Sequence, residues 1–170
     1  MIALIEQILA YEEGFRSKPY LCSEGYVTVG YGTKLHKTPN LDPSDFLIRV
    51  TPDVAVGWLQ CDISKIEKRL MASHVGGTDG IYDQMICCYP NRKAVVLSMA
   101  YQLGVSGLLG FHRFWAAVTM GKYEDAANEM LDSRWATQTP ARAWRHATVM
   151  REGKMTDVYP RVYDQAHSHG

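Results

Sequence analysis

Residues 13–33 read E-G-F-R-S-K-P-Y-L-C-S-E-G-Y-V-T-V-G-Y-G-T, and this stretch decides the fold. Tyr20, Tyr26, Val27, Val29 and Tyr31 are strand formers, and Gly25, Gly30 and Gly32 interrupt them. That pattern predicts a small antiparallel hairpin or meander with tight turns. Just before it, Ile2, Leu4, Ile5, Ile8 and Leu9 recur near a 3.6-residue period, so residues 2–12 read as an amphipathic helix. Gly14 supplies its stop.

Working outward, residues 36–50 read as a loop with a short element near its end. Thr51-Pro52 then marks a helix start, with a capping hydroxyl followed by proline at the first helical position. Val54, Val56, Trp58, Leu59, Ile63, Ile66 and Leu70 carry the helical pattern to about Ser73, a length of roughly 33 Å, enough to join two lobes. The segment V-G-G-T-D-G (75–80) breaks the chain. Helices are expected at 81–88 and 92–103, with Gly104, Gly107 and Gly110 punctuating a tight connection. Further helices follow at 111–120, 122–131 and 133–137, and Thr139-Pro140 repeats the cap-then-proline start for a helix to about Glu152. The fold class is α+β and mostly helical. It forms a single domain with a first lobe at about 13–60, a connecting helix at about 51–73, and a second lobe at about 74–160 packed with helix 2–12.

Hydrophobic residues make up 46% of the 170, and charged residues 21%, the balance of a globular chain that buries a real core. Eighteen basic and eighteen acidic side chains cancel, so no basic stripe points to nucleic acid. Cys22, Cys61, Cys87 and Cys88 lack C-x-x-C spacing and read as free thiols of a reducing compartment. The N-terminus has no basic n-region and carries Glu6 inside its apolar run, unlike a signal peptide or a spanning helix. The H-E-x-x-H pattern of zinc peptidases is absent. The terminal H-S-H-G reads as a disordered end rather than a chelator. Trp58, Trp115, Trp135 and Trp144 are expected in the core or between helices.

Within the opening stretch, eight residues separate Glu13 from Cys22 and five separate Cys22 from Thr28. Glycosidic cleavage needs a proton donor at the leaving oxygen and a water or carboxylate on the opposite face of the sugar. Glu13 can serve as the donor if the hairpin partly desolvates it. By chemistry alone a glutamate at a helix end is more often solvated, as Glu12 is read to be. Thr28 can orient a water, or it can be an ordinary β-branched strand residue.

The E-x8-C-x5-T spacing resembles the catalytic glutamate, Asp/Cys and threonine of the phage-type lysozymes. Two further segments strengthen the likeness, in family order: Y-Q-L-G-V-S-G-L-L-G-F (101–111) and S-R-W-A-T-Q-T-P-A-R-A (133–143). The resemblance runs from about residue 2 to Tyr159. It implies Glu13, Cys22 and Thr28 as catalytic residues, and Tyr101, Gln102 and Arg142 as substrate-binding. It also implies Glu24 and Arg134 as an ion pair that closes the two lobes. Cys22 stands where many relatives carry aspartate. It can act as a thiolate, shape the water pocket, or form a transient glycosyl adduct, and a free thiol filling a loop pocket is the plain alternative.

The resemblance further implies an endolysin that hydrolyses the β-1,4 bond between N-acetylmuramic acid and N-acetylglucosamine without a cofactor. Such a protein would be a monomer acting on peptidoglycan strands, with no nucleic-acid partner and no membrane insertion. It would accumulate in the host cytoplasm and reach the periplasm through a holin. A lytic transglycosylase and a catalytically silent wall-binding protein are the rival readings.

Overall fold

The computed structural model describes residues 2–73, 82, 89–155 and 158–160. The expected break at 75–80, the helix expected at 81–88 (Tyr82 apart), Cys87, Cys88 and the H-S-H-G tail lie outside the described residues.

Helix α1 (Ile2–Glu13) buries Ile5, Ile8 and Leu9 and ends on its two glutamates. Gly14 takes φ +66° and donates its N–H to the carbonyl of Ala10, the left-handed stop that glycine provides. Three antiparallel strands follow in the order β1 (Arg16–Leu21), β2 (Val27–Gly30) and β3 (Thr33–Lys34). Tyr20 pairs with Thr28, and the register is irregular between Arg16 and Tyr20. Pro19 falls in that irregular stretch of an edge strand, where its missing N–H breaks no ladder. All four residues of β2 are buried. The expected short element at 36–50 is a single 3₁₀ turn at Pro43–Asp45, capped by the Asp42 side chain.

Helix α2 (Pro52–Met71) begins and ends within two residues of its expected bounds, but the Thr51 hydroxyl makes no capping bond. Proline at the first position, not the hydroxyl, marks the start. Ala55, Leu59, Ile63 and Leu70 form its buried face. Helix α3 (Pro90–Leu109) is the central rod, packed on α1 and α2 and buried continuously from Lys93 to Ala100. Lys93 is buried with them and is ion-paired to Glu67 of α2. The expected connection at Gly104, Gly107 and Gly110 is instead a kink. Gly104 alone leaves helical geometry (φ 74°, ψ 155°), and the helix resumes to Leu109.

Helices α4 (His112–Thr119), α5 (Tyr123–Leu131), α6 (Arg134–Gln138) and α7 (Pro140–Glu152) complete the fold, with α5 packed along α7. Ser133 caps α6 by accepting from the N–H of Ala136. Thr139 donates its hydroxyl to the carbonyl of Trp135 instead of capping α7. The far end of α7 is clamped from α3: Arg92 lies against the rings of Tyr89 and Tyr123 and donates to the carbonyls of Met150 and Arg151. Trp115 and Trp135 are buried and Trp58 packs on the core, as expected. Trp144 is a correction: it is 59% exposed, on the side of α7 away from the buried Arg142, Ala143, His146 and Ala147.

Candidate active site

The last residue of α1, the middle of α3 and the first turn of α7 bring Glu13, Tyr101 and Arg142 together beside the hairpin that carries Cys22 and Thr28. Glu13 keeps 24% of its side chain exposed, and its Oε1 accepts from Arg142 Nη1 at 2.7 Å. Its Oε2 faces the open backbone of Gly32: a Cβ there would lie 3.6 Å from Oε2 and 3.6 Å from the Tyr101 hydroxyl. Gly32 sits at φ +90°, in the turn between β2 and β3. Glu13, Gly32 and Tyr101 thus converge on one another. Tyr101 donates its hydroxyl to the carbonyl of Tyr31 at 3.0 Å, so it ties α3 to the sheet. Burial, and then the charge of Glu13, raise its pKa well above the ordinary phenol value. It acts here as a neutral hydrogen-bonding group.

On the hairpin, Cys22 opens a tight turn. Its carbonyl accepts from Gly25 N at 2.9 Å, and its N–H donates to Tyr26 O at 3.0 Å. Gly25 adopts φ +79°, and a Cβ there would sit 2.7 Å from Asn40 Oδ1, so a side chain at this turn would be strained and would displace Asn40. Burial pushes the Cys22 thiol up. The backbone at Tyr26, the Thr28 hydroxyl, the backbone at Glu24 and the Lys34 charge outweigh that and lower its pKa overall. Thr28 is buried and donates its hydroxyl to Tyr26 O at 2.9 Å, leaving its lone pairs free to accept. The Thr28 hydroxyl is among the groups that lower the Cys22 pKa, so the two side chains lie within hydrogen-bonding reach.

Tyr20, read from sequence only as a strand residue, belongs to this group. It is the register partner of Thr28. Burial raises its pKa, Arg16 lowers it, and the charges of Glu13 and Cys22 both add to the rise. The phenol therefore lies within electrostatic reach of both. Alternation along β1 could have flagged it, because Tyr20 and Cys22 are two residues apart in an extended chain.

The other expected residues divide. Arg142 is buried rather than exposed on a helix face. Its Nη1 holds Glu13, its Nη2 meets Ser98 Oγ at 3.0 Å and Ser98 O at 3.4 Å, and its Nε is buried without a partner. Its guanidinium lies between Glu13 and Ser98. Gln102 is exposed and accepts from Trp135 Nε1 at 2.8 Å, so one end of its amide is fixed and the NH₂ is left for other contacts. The expected Glu24–Arg134 pair is not formed. Glu24 pairs at 2.6 Å with Lys34, the last residue of β3, while Arg134 lines a surface pocket with Phe111, Phe114 and Trp135. Glu12 also departs from expectation. Only 5% of its side chain is exposed; Arg145 grips both its oxygens at 2.8 and 2.6 Å, and Tyr159 donates to Oε1 at 2.6 Å.

Among the described residues no single helix is long and apolar enough to cross a membrane. The phage lysozyme family model matches residues 10–148, a span that contains every residue of the site. Probable T4-type lysozyme 1 of Dictyostelium discoideum is 26% identical over 172 residues, covering 91% of this chain and 98% of the relative. Probable T4-type lysozyme 2 of the same organism is 22% identical over 92% of this chain and 99% of its own length. The pre-baseplate central spike protein Gp5 of Enterobacteria phage T4 is 26% identical over 95% of this chain, which corresponds to 30% of that protein. With a family match across most of its length and T4-type lysozymes among its relatives, this chain belongs to the phage lysozyme family and is a lysozyme.

Proposed function

We propose that this lysozyme is an endolysin that hydrolyses the β-1,4 bond between N-acetylmuramic acid and N-acetylglucosamine in peptidoglycan, with Glu13 as the general acid. The observation that carries the reading is the division of the Glu13 carboxyl: one oxygen is held by Arg142 and the other faces the open backbone of Gly32. A general acid needs that combination of fixed orientation and one accessible oxygen. In this reading Glu13 protonates the leaving glycosidic oxygen. A water on the opposite face of the sugar attacks the anomeric carbon and gives its proton to Cys22, while the free lone pairs of Thr28 orient it. The lowered pKa of Cys22 supports a basic role, since the thiolate is the form that accepts a proton. Direct attack by water inverts the anomeric centre.

The sheet lobe and the helical lobe flank the glycan strand, and Gln102 and Tyr101 contribute to its cleft. The enzyme works as a monomer on Gram-negative walls at the end of a phage cycle and depends on a holin for release. The test is product analysis on purified peptidoglycan. Soluble fragments with reducing N-acetylmuramic acid ends are the expected result. Fragments ending in 1,6-anhydro-muramic acid would make the enzyme a lytic transglycosylase instead. Sedimentation with the wall and no soluble sugar would make it a silent binder.

A further inference from the structure

Behind Arg142 runs a chain of buried polar groups that the proposed reaction does not use. Ser98 Oγ on α3 touches Arg142 Nη2 at 3.0 Å and His146 Nε2 at 2.8 Å. His146 Nδ1 touches the Tyr159 hydroxyl at 2.6 Å, and Tyr159 reaches Glu12 Oε1 at 2.6 Å. Ser98 and His146 have no exposed surface, and neither does Tyr159. Donor and acceptor roles along this chain are determined by its two ends. Glu12 is gripped by Arg145 through both oxygens and can only accept, so the Tyr159 proton points to it. Tyr159 must then accept from His146, which puts the imidazole proton on Nδ1. Nε2 is left as an acceptor, so the Ser98 hydroxyl donates to it. The Ser98 oxygen is thereby turned to receive Arg142 Nη2–H, since a guanidinium only donates. Every link has one allowed direction. Burial, and then the Arg142 charge, hold His146 well below the ordinary imidazole value, so the ring stays neutral as the chain requires.

We propose that Ser98 and His146 are positioning residues for the reaction: through this one-way chain they fix the Arg142 guanidinium, and with it the carboxyl of Glu13. The need is visible in Arg142 itself. Among the described residues its Nε is buried without a partner, and its Nη2 meets Ser98 alone. Removing the Ser98 hydroxyl therefore leaves the guanidinium held mainly by the group it must orient. The groups around Glu13 are Arg142 from α7, Tyr20 from β1 and Tyr101 from α3, and no other cation among them substitutes for Arg142. Those around His146 are Arg142 and Arg145 on its own helix, Tyr159, and Glu12 at 4.0 Å from α1. The inference rests on Glu13 as the acid, and its test separates the two.

The first readout is ¹⁵N NMR of His146 in the unmodified protein, which needs neither activity nor a variant. A neutral ring protonated on Nδ1 across pH 5–8 is expected. The Nε2-protonated tautomer, or a charged ring, would overturn the chain. The second readout is steady-state kinetics on a soluble glycan for Ser98→Ala and Ser98→Thr, each checked for parental circular dichroism. Ser98→Ala is expected to lose kcat on the order of tenfold, with KM little changed, as misorientation of a catalytic group does. Ser98→Thr keeps the hydroxyl and is expected to retain kcat. Parental kcat in folded Ser98→Ala, or an equal loss in folded Ser98→Thr, would overturn the positioning role. Should Glu13→Gln retain activity, the acid assignment fails by itself while the tautomer result stands.

Discussion

Cys22 takes its chemistry from the hairpin that carries it rather than from an acidic neighbour. Opposing its burial are the backbone at Tyr26, the Thr28 hydroxyl, the backbone at Glu24 and the Lys34 charge, and together they lower its pKa. The sign follows directly: an acid with a depressed pKa in the folded state ionises at lower pH than an ordinary thiol. Alkylation of Cys22 by iodoacetamide is therefore expected to rise with pH about a midpoint below the ordinary thiol value of 9.0, and kcat is expected to rise over the same window. A midpoint at or above 9.0, or full activity in Cys22→Ser, would remove the thiolate from the mechanism. The neighbouring pair Glu12 and Glu13 shows what sequence could and could not reveal at this scale. Motif spacing singled out Glu13, and the structure gives it a cation and one open oxygen. Glu12 read as solvated because its partners, Arg145 and Tyr159, lie more than 130 residues away, and no local pattern announces them. Arg145→Ala should accordingly strand a buried carboxylate and cost about 3–5 kcal/mol by urea unfolding. A loss under about 1 kcal/mol, the size of a surface pair, would contradict that burial.

Elements whose start is written in covalent geometry were legible; those set by packing were not. Proline at the first position located α2 and α7 closely, although neither preceding threonine caps its helix. The hairpin was legible because its glycines are required by conformation. The run Gly104, Gly107 and Gly110 misled for the same reason. Sequence cannot say which glycine leaves the helix, and only Gly104 does. Gly30 and Gly104 both occupy positive φ, at 68° and 74°, but their surroundings differ. A Cβ on Gly30 would lie 2.9 Å from Ala55 Cβ, where the sheet rests on α2, whereas a Cβ on Gly104 meets nothing within 4 Å. Gly104→Ala should therefore cost only its backbone strain, about 1–3 kcal/mol. Gly30→Ala should cost that plus overpacking, about 2–6 kcal/mol in all. Equal losses in urea unfolding would mean that the sheet can lift from α2 freely.

Across the whole molecule, the sheet, α1, α3 and α7 are joined at the site by polar bonds as well as by the apolar core. Tyr101 ties α3 to the chain after β2, Arg142 ties α7 to α1 and α3, and Tyr159 ties the last described residues to α1 and α7. This arrangement predicts a particular sensitivity to acid. His146 is held neutral in the folded state, whereas the unfolded chain takes up its proton near pH 6.5. The stability contributed is thus fully present above about pH 6.5 and declines as pH falls below it. The urea midpoint should drop between pH 7 and pH 5 by more in the parent than in His146→Gln, and equal drops would contradict a buried neutral imidazole. The overall class, a small sheet followed by a helical body, was legible from periodicity, while the polar chain was not, because it joins residues from four separate segments. The account depends most on Glu13, so the decisive measurement is clearing of outer-membrane-permeabilised Gram-negative cells by the parent and by folded Glu13→Gln, side by side. The parent is expected to clear the cells rapidly, and the variant to lose at least about a hundredfold in rate. Clearing by Glu13→Gln at a rate near the parent's would contradict it.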